Sequence, residues 1–367
     1  VINKIEQKIN NKKDNKFKNI ILEISCLAAY KPLESFDWSN KIKDNKEISN
    51  LIKQQILNPN KERDIKKKLH SKKIKNLVSI KVKEQYENNP YPRWEKIALN
   101  NIPRKPIKFF KNLNLNINEE HVKDWNQVNV LVAGCGTGQH AITTATKYTN
   151  SFVTAIDLSL NSLSFAKRKA QELEIENIDF IQMDLLDLQY YEKKFDIIES
   201  VGVLHHMDKP YEGWKILYNI LNTNGLMMIG LYSKLAREHI ERTRNKIKNL
   251  GIEINDKNII NLREEIINSD TKDNKLIKLS PDFYSLSSLR DLLFHIQEHR
   301  FTIPKIEKNI KELKLKFLGF EDTNVINKFK EVYDKSNDLY NLKKWEEYEN
   351  NNPRIFSGMY QFWCKKN

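Results

Sequence analysis

The stretch VNVLVAGCGTGQHAITTATKY, residues 128–148, passes from an apolar run through three closely spaced glycines into a segment rich in alanine and threonine. That order predicts a buried strand, a tight turn and a helix. Gly134, Gly136 and Gly138 let the backbone approach a ligand closely and leave free amides where the helix begins. Such a loop alone does not separate one nucleotide-type ligand from another, since dinucleotide oxidoreductases carry a similar one.

The pattern repeats downstream. SFVTAIDLS (151–159) precedes LNSLSFAKRKAQEL (160–173), IDFIQMD (178–184) follows, and FDIIESVGVLHHM (195–207) leads through EGWKILYNILNTNG (212–225) to LMMIGLYS (226–233). Alternating apolar strands and amphipathic helices predict an α/β fold with a mainly parallel sheet and crossover helices on both faces. Asp157 ends the second strand, where a carboxylate can accept from ribose hydroxyls, and Asp184 ends the third. The spacing also suits a plain N-cap at either position.

In order and spacing, VLVAGCGTGQHA, AIDLS, FIQMDLLDL, FDIIESVGVLHHMDKP and ILNTNGLMMIGLYS resemble the successive motifs of class I S-adenosylmethionine-dependent methyltransferases. The overall look is similar to bacterial methyltransferase domains sometimes attached to tetratricopeptide repeats. LKFLGFE and MYQFWCKK resemble that family's final antiparallel pair. The resemblance implies a Rossmann-like sheet of order 3-2-1-4-5-7-6, with an N-terminal helical region and a helical insertion after strand five. It divides the chain into a helical region and lid (1–94), a connector (95–126) and a methyltransferase domain (127–367) with its insertion at 234–300.

The implied cofactor is S-adenosyl-L-methionine, with S-adenosyl-L-homocysteine as product. By resemblance, Gly134, Gly136 and Gly138 surround its methionyl part, Asp157 with Leu158 the ribose, and Asp184 with Leu185 the adenine. The residues from Ser200 to His206 then line the sulfonium end. One departure stands out: Ala133 occupies a place where the family commonly has an acid.

For proton transfer the candidates are His205 and His206 in VLHHMDKP, with Asp208 as an orienter of His206. SPDFYSLSSLRDLLFHIQEHRFTIP (280–304) supplies candidate substrate-binding groups in Tyr284, Arg290, His295, His299 and Arg300. Ser288 and Asp291 there fit a capping box. His295 and His299 share a helical face, but methyl transfer from this cofactor needs no metal and none is expected.

YENNPYPRW (86–94) presents three aromatics and an arginine on a segment stiffened by two prolines. It lies well before the first core strand, unlike the asparagine-proline-proline-tyrosine motif of amino-directed nucleic-acid methyltransferases, which follows strand four. It therefore reads as a lid, with Tyr91, Arg93 or Trp94 reaching the methionyl carboxylate or the substrate. The alternative is a rigid elbow packed through Trp94. YENNNPRIF at 348–356 echoes it and is read as composition.

The net charge of +14 accompanies a chain-wide richness in lysine and asparagine, which makes it a bias more than a polyanion footprint. Three scattered cysteines make no metal or disulfide pattern, and no apolar run approaches bilayer length. A cytoplasmic protein without membrane association is the expectation. The expected activity is methyl transfer to a small molecule or a protein side chain enclosed at the strand ends. A protein lysine methyltransferase, an RNA methyltransferase and a non-catalytic cofactor-binding interaction protein are the alternatives, with nucleic acid not the favoured partner.

Overall fold

A computed structural model describes residues 2–10, 20–42, 45–100, 102–117 and 125–367. The chain separates into two compact units, Val1–Leu69 and His70–Asn367. The first holds α1 (Ile2–Asn10), α2 (Ile21–Ala28), α3 (Ser49–Ile52) and α4 (Asn58–Lys66), with short helical turns at Leu33–Ser35, Asp37–Lys41 and Lys53–Leu57. Ile5, Ile9, Ile24, Trp38 and Ile52 form its apolar centre. Isoleucines at helical spacing bury one face of α1. Residues 11–19 lie outside the described residues.

The second unit opens beside the sheet edge: Gln182 N donates to His70 O (3.0 Å) and Lys72 N donates to Gln182 O (3.2 Å). Helix α5 (Leu77–Asn88) follows, its start set by Asn76, whose side chain accepts from Val78 N and Ser79 N. The segment expected to be a connector contains α6 (Pro106–Lys111), held because Phe110 is buried against Tyr148 and Trp363. Residues 118–124 of that segment are not described.

The core is a seven-stranded sheet of order β3-β2-β1-β4-β5-β7-β6. Its strands are β1 (Val128–Ala133), β2 (Ser151–Asp157), β3 (Ile178–Gln182), β4 (Phe195–Val201), β5 (Leu221–Leu231), β6 (Leu315–Phe320) and β7 (Tyr360–Lys366). The first five pair in parallel, and β7 runs antiparallel to both neighbours. Both faces are covered, which is why the central strands are nearly continuous apolar runs. Helices α7 (Gln139–Ala145), α8 (Leu160–Glu172) and α9 (Pro210–Ile220) make the crossovers.

After β5 come α10 (Glu238–Asn249), α11 (Asp256–Ile267), α12 (Lys272–Lys278) and α13 (Leu286–Phe294), packed around their own apolar cluster. Helix α13 begins one turn earlier than the capping-box reading places it: Ser285, not Ser288, is the cap and accepts from Ser288 N. Three serines in four positions offered the backbone several caps, and the one that lets Leu289, Leu292 and Leu293 face inward is used. Helix α14 (Ile303–Glu312) leads into β6, and α15 (Thr323–Lys330) and α16 (Leu342–Asn351) precede β7. Among the described residues no helix is long and apolar enough to cross a membrane.

Candidate active site

Right after β1 the chain turns through Gly134, Gly136 and Gly138, all with positive φ. At Gly134 (φ +77°) a Cβ would lie 2.2 Å from Val203 Cγ2, so only glycine lets the loop after β4 close on this turn. Gly138 (φ +83°) serves packing: a Cβ there would meet Ala166 Cβ of α8 at 2.5 Å. Gly136 differs, because a Cβ would find only Tyr91 O at 3.4 Å.

Gly134 and Gly136, but not Gly138, border a cavity of about 670 Å³ at the carboxyl ends of the strands. That size falls within the roughly 300–1,000 Å³ usual for ligand sites, and the position is where open α/β sheets bind ligands. One end is walled by Asp157, Leu158, Met183, Asp184 and Leu185. Asp157 Oδ2 accepts from Gly136 N (2.8 Å) and Oδ1 from Ser159 N (2.9 Å), which fixes the carboxylate and leaves each oxygen a further acceptor position. Burial raises the Asp157 carboxyl, opposed by the amides of Ser159, Gly136 and Leu158. Asp184 accepts from Leu186 N (3.0 Å) and also caps the turn that follows.

The segment from Tyr86 to Trp94 forms a strap along the glycine loop. Thr137 Oγ1 donates to Pro92 O (2.5 Å), and Trp94 Nε1 donates back to Thr137 O (3.1 Å). Tyr86 Oη donates to Asp291 Oδ1 (2.7 Å) and Tyr91 Oη to Asp282 Oδ1 (2.6 Å), tying the strap to the insertion. Glu87 accepts from Ser159 Oγ (2.9 Å) and Asn161 N (3.1 Å), which docks the end of α5 on the start of α8. Tyr91 and Pro92 border the cavity while Trp94 is buried edge-on to Phe165, so elbow and lid are two faces of one segment. Arg93 lies over the Phe165 ring, 5.8 Å from its centroid, and is not brought to the cavity.

The histidines after β4 separate. His205 is fully buried, stacked on Tyr232 with ring centroids 4.0 Å apart, and neither ring nitrogen has a hydrogen-bond partner. Burial, with His206 and Arg237 adding to it, pushes it well below the ordinary imidazole value. A ring so enclosed does not exchange protons with a ligand. His206 borders the cavity, and its Nδ1 lies 2.7 Å from Gln297 O, a contact that requires Nδ1 to carry the proton. Burial lowers His206 to about 4, against the Gln297 contact that raises it. Asp208 does not orient it: only the Asp208 main-chain oxygen is engaged, 3.2 Å from His299 Nε2. The expected His206–Asp208 pair is thus replaced by His206 and a main-chain carbonyl. Ser200 is also outside the cavity, fully buried within β4.

The expected substrate-binding set does not converge either. Tyr284 is exposed and donates to Lys278 O (3.0 Å), Arg290 pairs with Asp256 (2.5 Å), and Arg300 pairs with Glu241 (2.6 Å). His295 stacks under His206 (3.7 Å between centroids), and His299 is held by Gln297 and Asp208. From α13 it is Asp291 and Leu292 that border the cavity instead. Arg237, which stacks 3.7 Å over the Tyr232 ring and pairs with Glu298 (3.1 Å), completes this wall. Arg354, from the stretch read as a compositional echo, and Ser357 just beyond it also border the cavity. Among the described residues no cluster of three or more metal-ligating side chains is present.

Burial raises the Asp291 carboxyl to about 6, against the Tyr86 hydrogen bond that lowers it, with Asp282, Glu298 and Arg237 also facing it. Since the folded value exceeds the ordinary 3.8, the native state favours the protonated form. Its contribution to stability is full below the ordinary value and is lost as pH rises through about 6. Asp291→Asn, which does not ionise, is expected to flatten that part of a plot of Tm against pH and leave the more acidic part unchanged. Identical slopes in the two proteins would remove the assignment.

Residues 125–279 match the family model of a methyltransferase domain. An uncharacterized protein of Synechococcus sp. is 30% identical over 201 residues, which are 53% of this chain and 48% of that protein. A putative methyltransferase of Geobacillus sp. is 29% identical over 115 residues, 30% of this chain and 45% of the relative. The solved structure of PKMT2 from Rickettsia typhi in complex with AdoHcy is 19% identical, with a TM-score of 0.48 over 73% of this chain and 54% of that one. The chain spans about half the length of the curated relatives it matches. With its strand order and glycine loop, the chain carries a class I S-adenosylmethionine-dependent methyltransferase domain.

Proposed function

We propose that the chain transfers a methyl group from S-adenosylmethionine to a small molecule, or to a single protein side chain, that enters the cavity at the strand ends. The observation that carries this reading is the division of one cavity. Asp157 and Asp184 border it as a nucleoside requires, and the strap, the insertion and the segment before β7 supply further parts of the same wall. The donor set fits the cofactor: Asp157 keeps free acceptor positions for ribose hydroxyls, Ile156, Met183 and Leu185 offer apolar surface, and Gly136 leaves room beside Tyr91.

When bound, the cofactor supplies a sulfonium methyl that is already activated. The work left to the chain is to align the acceptor and exclude water. Tyr86 and Tyr91 close the cavity through Asp291 and Asp282, and Tyr232 and Arg237 form a polar wall. His206 is neutral near pH 7 and has Nδ1 committed to Gln297, so Nε2 is the nitrogen free to accept a proton from an acceptor that must lose one. An enclosed cavity of this size favours a small acceptor or one inserted side chain over a duplex or folded RNA.

Calorimetry with S-adenosylmethionine and S-adenosylhomocysteine tests the first half of the proposal, and heat from neither would reject it. Transfer of labelled methyl groups into a cell extract separated into small-molecule, protein and RNA fractions tests the second. Label is expected in one of the first two fractions; label confined to RNA overturns the choice of acceptor.

A further inference from the structure

The glycine loop carries Ala133 in place of an acid, Arg93 lies on Phe165, and the Tyr91 hydroxyl is given to Asp282. None of these is left to hold a zwitterionic group beside the loop. The cavity wall continues past Gly136 and Thr137 into Gln139 and His140. His140 Nε2 lies 2.6 Å from Oε2 of Glu199, a residue of β4 that is fully buried. The same oxygen accepts from Thr144 Oγ1 (2.5 Å), and Oε1 lies 3.1 Å from Lys147 Nζ.

Burial alone would raise the Glu199 carboxyl, but Lys147, His140 and Thr144 outweigh it and hold it well below the usual range. An ionised carboxylate only accepts, so the imidazole nitrogen facing it carries a proton. With Nε2 beside the carboxylate, Nδ1 is the ring nitrogen left for a ligand. Lys147, itself nearly buried, supplies one positive charge to Glu199, and Glu321 faces the same Lys147 and His140. About a third of the His140 side chain remains exposed, 35%, on a residue that borders the cavity.

We infer that His140, oriented by Glu199, binds the amino-acid tail of the cofactor through Nδ1, an assignment that rests on the proposed function above. His140 is the binding residue, and Glu199 is a positioning residue acting through it. The tail's ammonium and carboxylate lie at the opposite end of the cofactor from the adenine, and His140 borders the cavity from α7, directly after the glycine loop.

The test compares S-adenosylhomocysteine with 5′-methylthioadenosine, which keeps the nucleoside thioether and lacks the tail. In calorimetry on the full chain, His140→Ala and His140→Gln are expected to weaken S-adenosylhomocysteine about tenfold or more while changing 5′-methylthioadenosine by less than about twofold, as loss of one hydrogen bond to a charged group implies. Equal weakening of both ligands would mark His140 as structural and overturn the inference, as would no change in either. Wild-type protein that binds neither ligand sinks the proposed function and this assignment with it. Wild-type binding of both with an unaltered ratio in the variants removes this assignment alone. Thermal unfolding of both variants guards against global effects: His140→Ala takes a partner from buried Glu199 and is expected to lower Tm more than His140→Gln, whose amide can still donate to it.

Discussion

Asp157→Ala is expected to weaken S-adenosylhomocysteine at least about a hundredfold, since two hydrogen bonds to a charged acceptor are worth roughly 1.5–3 kcal/mol each. The carboxylate does two things at once. It keeps acceptor positions for a ribose, and it holds the amides of Gly136 and Ser159, which shape the glycine turn and start α8. Removing it leaves two backbone donors short of a partner, a further cost of about 1–3 kcal/mol for each one that water does not reach. Asp157→Asn separates the effects. Its single oxygen keeps one of the two amides, so stability should recover more than affinity does. Calorimetry alongside denaturant unfolding measures both, and an affinity unchanged in Asp157→Ala would remove the carboxylate from the binding site.

The parts of the molecule that were legible in the sequence are those written locally. Each strand from β1 to β4 is a largely apolar run that ends in, or is followed within two residues by, a glycine or carboxylate, and the motifs around them carry the family's order, so sheet and glycine loop follow from reading along the chain. The cavity's far wall is built otherwise. Tyr86 meets Asp291 across a separation of 205 residues and Tyr91 meets Asp282 across 191, and no periodicity announces either pair.

Adjacent side chains also diverge in ways that spacing does not settle. In the tight turn Leu204–His206 one histidine is sealed against Tyr232 and the next borders the cavity. The cluster of histidines and arginines at 290–300 drew attention by its chemistry, yet most of those groups are spent on ion pairs and stacking within the insertion. Asp291 from that cluster, which the sequence suggested only as part of a cap, and Asp282 before it border the cavity instead. His140 was passed over because it sits inside the helix after the glycines, and its significance depends on Glu199 from another strand. Glu199, following the isoleucines of FDIIESV, is the local sign that β4 holds a buried polar partner.

Trp94→Ala carries the other large expected effect, a loss of about 3–5 kcal/mol of stability, the usual range for a buried aromatic truncated to alanine. Trp94 is buried, meets Phe165 edge-on at 5.8 Å between centroids, and lies under Lys169 at 5.0 Å. Its Nε1 donates to Thr137 O, and the Thr137 hydroxyl donates to Pro92 O, so the ring and the glycine loop hold one another. Without the indole, Thr137 loses a donor and the strap loses the anchor that sets Tyr91 against Asp282. Affinity for S-adenosylhomocysteine should therefore fall along with stability. Trp94→Phe keeps most of the apolar surface and drops only the N–H, with an expected stability cost nearer about 1 kcal/mol. Denaturant midpoints and calorimetry on the pair distinguish anchoring by packing from anchoring by the Thr137 exchange. If affinity follows stability in both variants, the elbow and the lid act as one element. If Trp94→Ala unfolds more easily while ligand affinity stays at the wild-type value, Trp94 supports the fold and the strap closes the cavity through Tyr86 and Tyr91 alone.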